Sequence, residues 1–150
     1  MSELTNIGWR EWLALPDLAV PMIKTKIDSG AKTSVLHTYN QEVFKQNRKE
    51  RVRFWVHPIQ RNTSKIIRCE ADVWDHRLVS DSGGHKEHRF FIKTSVCLGT
   101  DIFSIELSLT NRDLMRFRML LGREALKNRY LIDTSRSYLM EKPVIKTFRR

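Results

Sequence analysis

The 150-residue sequence predicts a mostly β fold, because alternating segments outnumber helical ones and turn residues separate them. In three segments an apolar residue occupies every second position, as expected for strands with one buried face: 52–56, 67–73 and 103–109. Turn-forming residues at 60–64 predict a hairpin between the first two, and Leu98 to Asp101 predicts another turn. With 41% hydrophobic residues, the chain has room for one domain with a real core. We therefore expect a single domain over residues 1–150.

The other elements follow from local patterns along the chain. An apolar strand is predicted over 22–27, a short surface helix over 39–48 and a second helix over 122–129. Strand-like segments flank Ser80-Asp81-Ser82-Gly83-Gly84-His85, so this stretch is expected to be a flexible hairpin tip. An ordinary hairpin turn and a flap that closes over a substrate both fit it. Residues 143–150 are predicted to form a basic tail.

The first strand leads into Ile27-Asp28-Ser29-Gly30-Ala31, which has the form of an aspartic-protease catalytic loop. A carboxylate at the end of an apolar strand can be partly desolvated and set beside a second acid, which separates their two pKa values. Ser29 can hydrogen-bond backbone across such a site, and Gly30 allows a sharp turn whose amides face the acid. Because Asp, Ser and Gly are also common turn formers, the motif alone equally fits a β-turn.

A second segment, Met119-Leu120-Leu121-Gly122-Arg123-Glu124-Ala125-Leu126, combines an apolar run, a Gly-Arg pair and helix-forming residues. With both segments in this order, the chain resembles the retropepsins, the one-lobed aspartic proteases. Four further segments are similar to one bacterial family: Gly8–Trp12, Leu15–Leu18, His57–Gln60 and Leu109–Asp113. That family is the retropepsin-like domain long labelled an ATP-dependent zinc protease, whose genes often lie beside those of ATP-grasp ligases that add glutamates to protein tails. The resemblance runs over residues 8–139.

The resemblance implies a closed, single-lobed acid-protease barrel with a short C-terminal helix, and it implies roles for nine residues. Asp28, Ser29 and Gly30 would be catalytic; Ala31, Lys32, Gly83 and Gly84 would contact substrate; Gly122 and Arg123 would support the loop. A similar triplet at Asp133-Thr134-Ser135 lacks the glycine, so the chain supplies one catalytic aspartate. Since the aspartic mechanism needs two acids, we expect a homodimer with one Asp28 from each chain.

Lys32 departs from the viral pattern, in which an acidic residue at this position pairs with the arginine of the Gly-Arg turn. Either Glu124 pairs with Lys32 in exchanged polarity, or Asp113 accepts Arg123; the sequence leaves both open. Because the viral acid contacts substrate, the inverted charge of Lys32 predicts a preference for acidic peptides, above all glutamate-rich protein tails.

Candidate metal and nucleotide motifs are incomplete. His85-Lys86-Glu87-His88 is not the His-Glu-x-x-His motif of helical zinc sites, and Cys69, Asp72 and His76 do not share one face of a strand. Gly30-Ala31-Lys32-Thr33-Ser34 lacks the glycine that precedes the lysine of a phosphate loop. We therefore expect no metal and no cofactor. A zinc-dependent peptidase, as the older family label states, stays the alternative enzyme.

The net charge of +10 favours anionic partners. Residues 111–150 hold eleven Lys and Arg against four acids, so most of the excess lies there. An acidic peptide substrate fits this balance, and a non-enzymatic basic module that binds nucleic acid is the alternative. No apolar run is long enough to span a membrane, and the N-terminus lacks a secretory pattern. Together with two separated cysteines, Cys69 and Cys97, read as reduced packing residues, these features predict a cytoplasmic protein without a membrane partner.

Overall fold

The computed structural model describes residues 4–59, 65–80, 83–112, 114 and 116–143. A single turn of 3-10 helix at Pro16–Leu18 joins two strands, and one short α-helix, α1, covers Arg123–Leu126. The strands are β1 Thr5–Gly8, β2 Arg10–Leu15, β3 Val20–Asp28, β4 Ser34–His37, β5 Tyr39–Gln46, β6 Lys49–Val56, β7 Ile67–Asp72, β8 Asp75–Ser80, β9 Lys86–Leu98, β10 Asp101–Thr110, β11 Met119–Gly122 and β12 Tyr130–Asp133.

Within the described residues, six strands close into a barrel in the order β10, β4, β11, β3, β2 and β9, and β9 pairs with β10 to complete the ring. Strand β11 lies between β3, which it pairs in parallel, and β4, which it pairs antiparallel. Strand β8 extends the sheet beyond β9; β5, β6 and β7 form a second sheet, and β1 pairs in parallel with β12. The predicted mostly β, closed-barrel fold is confirmed.

The predicted alternation corresponds to buried side chains in a single core. On β6, Val52, Phe54 and Val56 have no exposed surface, and the alternate residues of β10 from Phe103 to Leu109 are also buried. Both sheets contribute to one hydrophobic cluster, which places the three-stranded sheet directly against the barrel. Cys69 and Cys97 are buried free thiols, in agreement with their prediction as packing residues.

The prediction of a helix over 39–48 is wrong, because this segment is strand β5, paired antiparallel with β6. Its pairing ends in a two-residue turn in which Asn47 and Arg48 both have positive φ, 53° and 66°. This is the backbone that tight hairpin turns require, and Asn is one of the residues that tolerates it. The polar composition of β5 hid the strand, since most of its residues face solvent.

The C-terminal helix is present but shorter than the predicted 122–129. It ends at Leu126, because Lys127 has an extended ψ of 130° and Asn128 a positive φ of 63°. The predicted turn at 98–101 joins β9 and β10, with Gly99 at φ 59°. The predicted turn at 60–64 lies outside the described residues, as do residues 144–150 of the predicted tail.

A buried carboxylate ties the C-terminal segment to the start of the barrel. Glu11 on β2 is fully buried, and its oxygens accept backbone N–H bonds from Gly8 at 2.7 Å, Leu139 at 2.8 Å and Met140 at 3.1 Å. A buried carboxylate is stable only when such donors satisfy it. Glu11 therefore fixes the path of the chain after β12, and with it the surroundings of Trp9 and Trp12.

Candidate active site

Asp28 is the last residue of β3, and its register partner on β11 is Gly122. Its Oδ1 atom accepts the backbone N–H of Gly30 at 3.0 Å, so the loop turns back toward its own carboxylate. A Cβ at position 30 would lie 3.2 Å from that oxygen, a close approach that favours glycine. Within the described part of the chain, Oδ2 accepts no hydrogen bond. The side chain is half-buried, with one oxygen held by the loop and the other available.

Strand β11 buttresses the loop from the other side through Gly122. A Cβ on this residue would stand 2.6 Å from both the carbonyl carbon and the oxygen of Thr33, so only glycine allows the two backbones to meet. The Gly122 N–H donates to Ser34 Oγ at 3.0 Å. Backbone N–H groups of Arg123 and Glu124 donate to loop carbonyls, at 2.7 and 3.0 Å respectively. The loop that carries Asp28 is thus held along its length.

The Arg123 side chain adds one further brace, but not through an acid. Its Nη1 atom donates to the backbone carbonyl of Ser29 at 3.0 Å. Lys32 and Glu124, both exposed, form no ion pair with each other in the described part of the chain, so the exchanged-polarity pair is absent. The other expected acceptor, Asp113, lies outside the described residues.

A cleft of about 560 Å³, here called the loop cleft, opens beside the Asp28 loop. It is lined by the loop itself, by α1 and the turn after it, and by β8 and β10: Lys32, Thr33, Ser34, Arg77, Ser104, Ile105, Glu106, Glu124, Ala125 and Arg129. Sequence reasoning identified Lys32 here but missed Arg77, Glu106 and Arg129. The sequence signals nearest to them were the alternation of β10 and the excess of basic residues over 111–150. Neither signal indicates which strands lie next to each other.

The charges of the loop cleft fall into two groups. Arg77 bridges two acids, Glu106 at 3.2 Å and Asp75 at 2.6 Å. Hydrogen bonds from Arg77 lower the pKa of both Glu106 and Asp75, so these acids stay ionised in their ion pairs. Lys32 and Arg129 have no acidic partner among the described residues, and the Arg129 guanidinium lies over the Phe103 ring at 4.2 Å. Two cations are therefore available to an anionic ligand, beside one exposed acid, Glu124.

Gly83 and Gly84 lie apart from this group. They are exposed at the tip of the β8–β9 hairpin, where Ser80 pairs with Lys86, and Gly84 has a φ of 82°. Asp81 and Ser82 of the same tip lie outside the described residues. The hairpin is present as predicted, and it reaches the loop cleft through Arg77 rather than through its glycines. Its role as a flap stays a prediction.

The other site residues of the sequence analysis are brought together. Asp28, Ser29, Gly30, Ala31 and Lys32 form one continuous loop against Gly122 and Arg123. The backbone carbonyls of Ala31 and Lys32 accept hydrogen bonds from α1, and the side chains of Ser29 and Lys32 are exposed.

The residues considered for zinc are used in other ways. Asp72 pairs with Arg51 at 2.6 Å, and the His76 ring stacks on Phe90 at 4.9 Å. Across the described ranges, no cluster of three or more His, Cys, Asp or Glu side chains could hold a metal ion. None of the helices in those ranges is long and apolar enough to cross a membrane.

A closed six-stranded barrel, with an Asp-Ser-Gly loop set against a Gly-Arg turn, is the architecture of a retropepsin-like domain. The chain belongs to the RimB-like family, whose description is retropepsin-like aspartic endopeptidase RimB and whose model matches residues 6–143.

Curated relatives carry a different name. Probable alpha-L-glutamate ligases of Shewanella pealeana and Desulfotalea psychrophila are each 46% identical, over 89% and 85% of this chain. A third, from Parasynechococcus marenigrum, is 44% identical over 92% of the chain. The matched regions are 29%, 27% and 30% of those proteins, so the chain spans less than a third of their length. A crystal structure of a Legionella pneumophila protein of unknown function has the same fold, with a TM-score of 0.76 at 22% identity over 93% of this chain and 100% of that one.

Proposed function

We propose that this protein is an aspartic endopeptidase that acts as a homodimer, with Asp28 of each chain forming the catalytic pair. The observation that carries the proposal is the Asp28 loop, where Gly30 and Gly122 hold one carboxylate at a strand end and leave Oδ2 available. Because the sequence contains one such loop, the second acid comes from a two-fold partner.

The two Asp28 carboxyl groups would share one proton around a bound water, because two carboxylates at short range repel each other too strongly for both to stay ionised. The ionised Asp28 takes a proton from the water, and the water oxygen attacks the carbonyl carbon of the scissile peptide bond. The protonated Asp28 donates a hydrogen bond to the carbonyl oxygen and then supplies a proton to the leaving amine as the C–N bond breaks. Ser29 and Gly30 orient the pair, and the Gly83–Gly84 tip covers it.

A shallow apolar surface beside the loop supports the dimer. It includes Ser29, Leu126 and Leu131, and Leu131 on β12 is 54% exposed. An exposed leucine next to a half-complete catalytic site is the kind of surface that a symmetric partner would cover.

We propose glutamate-rich protein tails as the substrate. Lys32 and Arg129 place two cations without acidic partners in the described part of the loop cleft, and they suit a peptide with carboxylates on successive residues. The relatives provide the second support, since their matched region belongs to proteins named as glutamate ligases. An enzyme that adds glutamates and one that removes them would share a substrate.

The decisive experiment is Asp28→Asn, which keeps the side-chain shape and removes the ionisable pair. We expect complete loss of peptide hydrolysis with an unchanged fold, while Asp133→Asn, the matched change in the similar triplet, keeps activity. Chelators should have no effect. Activity that survives Asp28→Asn, or that disappears with EDTA and returns with zinc, would support the metallopeptidase alternative instead.

A further inference from the structure

A second concave surface, here called the tryptophan groove, lies on the barrel away from the loop cleft. Its volume is about 680 Å³, within the range of ordinary ligand sites. The lining comes from the residue between β1 and β2, from β2 and β3, and from the segments after β6 and before β11: Trp9, Arg10, Trp12, Met22, Lys24, Pro58, Ile59, Arg116 and Phe117. Residues from two of the segments singled out by the sequence analysis meet here, Trp9, Arg10 and Trp12 from one and Pro58 and Ile59 from the other, and the catalytic proposal uses neither segment.

The apolar part of the groove is formed by aromatic rings and neighbouring aliphatic side chains. Trp9 packs edge-on against Phe117, with ring centroids 6.0 Å apart, and Ile59 is 46% exposed. Met22 and Pro58 complete the apolar lining of the groove. An exposed apolar hollow of this kind is energetically costly to leave in water, and such patches mark binding surfaces.

The charged side chains that line the groove are all positive. Arg10, Lys24 and Arg116 all line it, and among the described residues no acidic side chain does. The Arg10 guanidinium lies 4.7 Å from the Trp9 ring centroid, and the Lys24 ammonium lies 5.6 Å from that of Phe117. Cations over an apolar floor suit a ligand that combines an apolar side chain with neighbouring carboxylates.

Strand β3 connects the groove to the catalytic loop. Met22, Lys24 and Asp28 occupy even positions of the strand and so share one face, opposite the buried Ile23, Thr25 and Ile27. Lys24 and Asp28 are four positions apart on the strand, a distance of about 13 Å. A polypeptide bound at the groove is therefore within a few residues' reach of Asp28.

We propose that the tryptophan groove is an exosite that binds an acidic segment of the protein substrate carrying one large apolar side chain. The apolar side chain occupies the hollow at Ile59 and Phe117, and flanking carboxylates contact Arg10, Lys24 and Arg116. This inference rests on the proposed peptidase function and names where such a substrate binds outside the active site. Single-stranded nucleic acid is less well suited, because base stacking needs open ring faces, and cations of the groove lie over the rings of Trp9 and Phe117.

Binding can be measured without cleavage in the Asp28→Asn protein. The probe is a fluorescein-labelled peptide with one phenylalanine between two runs of glutamate, followed by fluorescence polarisation. We expect Ile59→Ser and Arg116→Glu each to weaken binding by about tenfold, through the lost apolar contact and the reversed charge respectively. The matched changes Val43→Ser and Lys45→Glu, exposed on β5 outside the groove, should leave it unchanged. Replacing the phenylalanine by serine in the probe should reproduce the loss.

Cleavage separates this proposal from the peptidase proposal. With Asp28 intact, the groove variants should cleave a short glutamate-only peptide at the parent rate and the long probe more slowly. Equal binding of the long probe by parent and both groove variants would overturn the exosite, whatever the catalytic result. Oligothymidylate that binds more tightly than the peptide and loses affinity with Ile59→Ser would overturn it in favour of nucleic acid. If binding follows the expected pattern but the protein has no hydrolytic activity, the proposal for the groove stands and the peptidase proposal fails. If Ile59→Ser fails to fold, the exposed Arg116→Glu still decides.

Discussion

Lys32 is the residue on which the proposed preference for acidic substrates depends most directly. It is exposed, lines the loop cleft and has no acidic partner among the described residues. We expect the wild type to cleave a glutamate-tailed peptide about tenfold faster than its glutamine analogue, because each carboxylate near Lys32 adds a charge-assisted contact. Lys32→Glu should remove or reverse the preference, Lys45→Glu should not, and added salt should weaken it. Equal rates on both peptides for the wild type would show that the basic surface serves another partner.

At this scale, sequence reasoning singled out Asp28 and the Gly122-Arg123 pair but not the atoms that Arg123 contacts. Asp28 was recognisable because its chemistry requires a carboxylate, a hydroxyl and a glycine in order. The partner of Arg123 was not, because it is the backbone carbonyl of Ser29, 94 residues away, and every residue has a carbonyl. The buried role of Glu11 was equally hidden, since its three backbone donors come from positions that only the fold brings together.

The junction with β11 is the element that fixes the geometry of the Asp28 loop, which we propose to be catalytic. We expect Gly122→Ala to abolish activity and to lower the free energy of unfolding by about 1–3 kcal/mol, because the new methyl group overlaps the Thr33 carbonyl and forces the backbones apart. Gly84→Ala is the matched control for stability alone, because the Gly83–Gly84 tip is itself proposed to cover the site. It adds the same methyl group where no atom lies within 4 Å, at the cost of a strained φ of 82°. Chemical denaturation measures the free energy of unfolding of the two variants, and peptide cleavage measures the activity of Gly122→Ala. Full activity in Gly122→Ala would mean that the loop does not depend on this contact.

Strand β8 is tied to the barrel strand β10 by an acid that responds to pH. Glu106 on β10 accepts hydrogen bonds from Trp74 Nε1 at 2.9 Å and from Arg77, and the bond from Arg77 lowers its pKa below the ordinary 4.5. A lowered pKa in the folded state gives stability that is present above pH 4.5 and is lost as pH falls through the lowered value. We expect β8 amides to lose protection from hydrogen exchange in that acid range. Glu106→Gln should show the weaker protection already at neutral pH, whereas Asp72→Asn on β7 should not.

Among the elements, the sequence predicted those with one clearly buried face. Strands β6, β7 and β10 alternate because one side packs into the core, whereas β5 is polar on both sides and gains its structure from pairing with β6. Its turn at Asn47-Arg48 lacks the glycine that usually marks a tight hairpin. The short α1 was predicted at the right place, but its end depends on the backbone angles of Lys127 and Asn128.

At the scale of the whole molecule, one barrel with one proposed catalytic aspartate predicts a two-fold assembly. We expect sedimentation equilibrium to detect a dimer whose population rises with protein concentration together with specific activity, because each active site needs both chains. Leu131→Arg should weaken this dimer and lower activity at a given concentration, since it places a charge in the apolar surface beside Ser29. Val43→Arg, an equally exposed change on the separate three-stranded sheet, should affect neither. A mixed sample of wild type with excess Asp28→Asn should lose activity faster than dilution explains, because heterodimers carry a single ionisable acid. Activity that is independent of concentration in a protein that sediments only as a monomer would contradict the shared site.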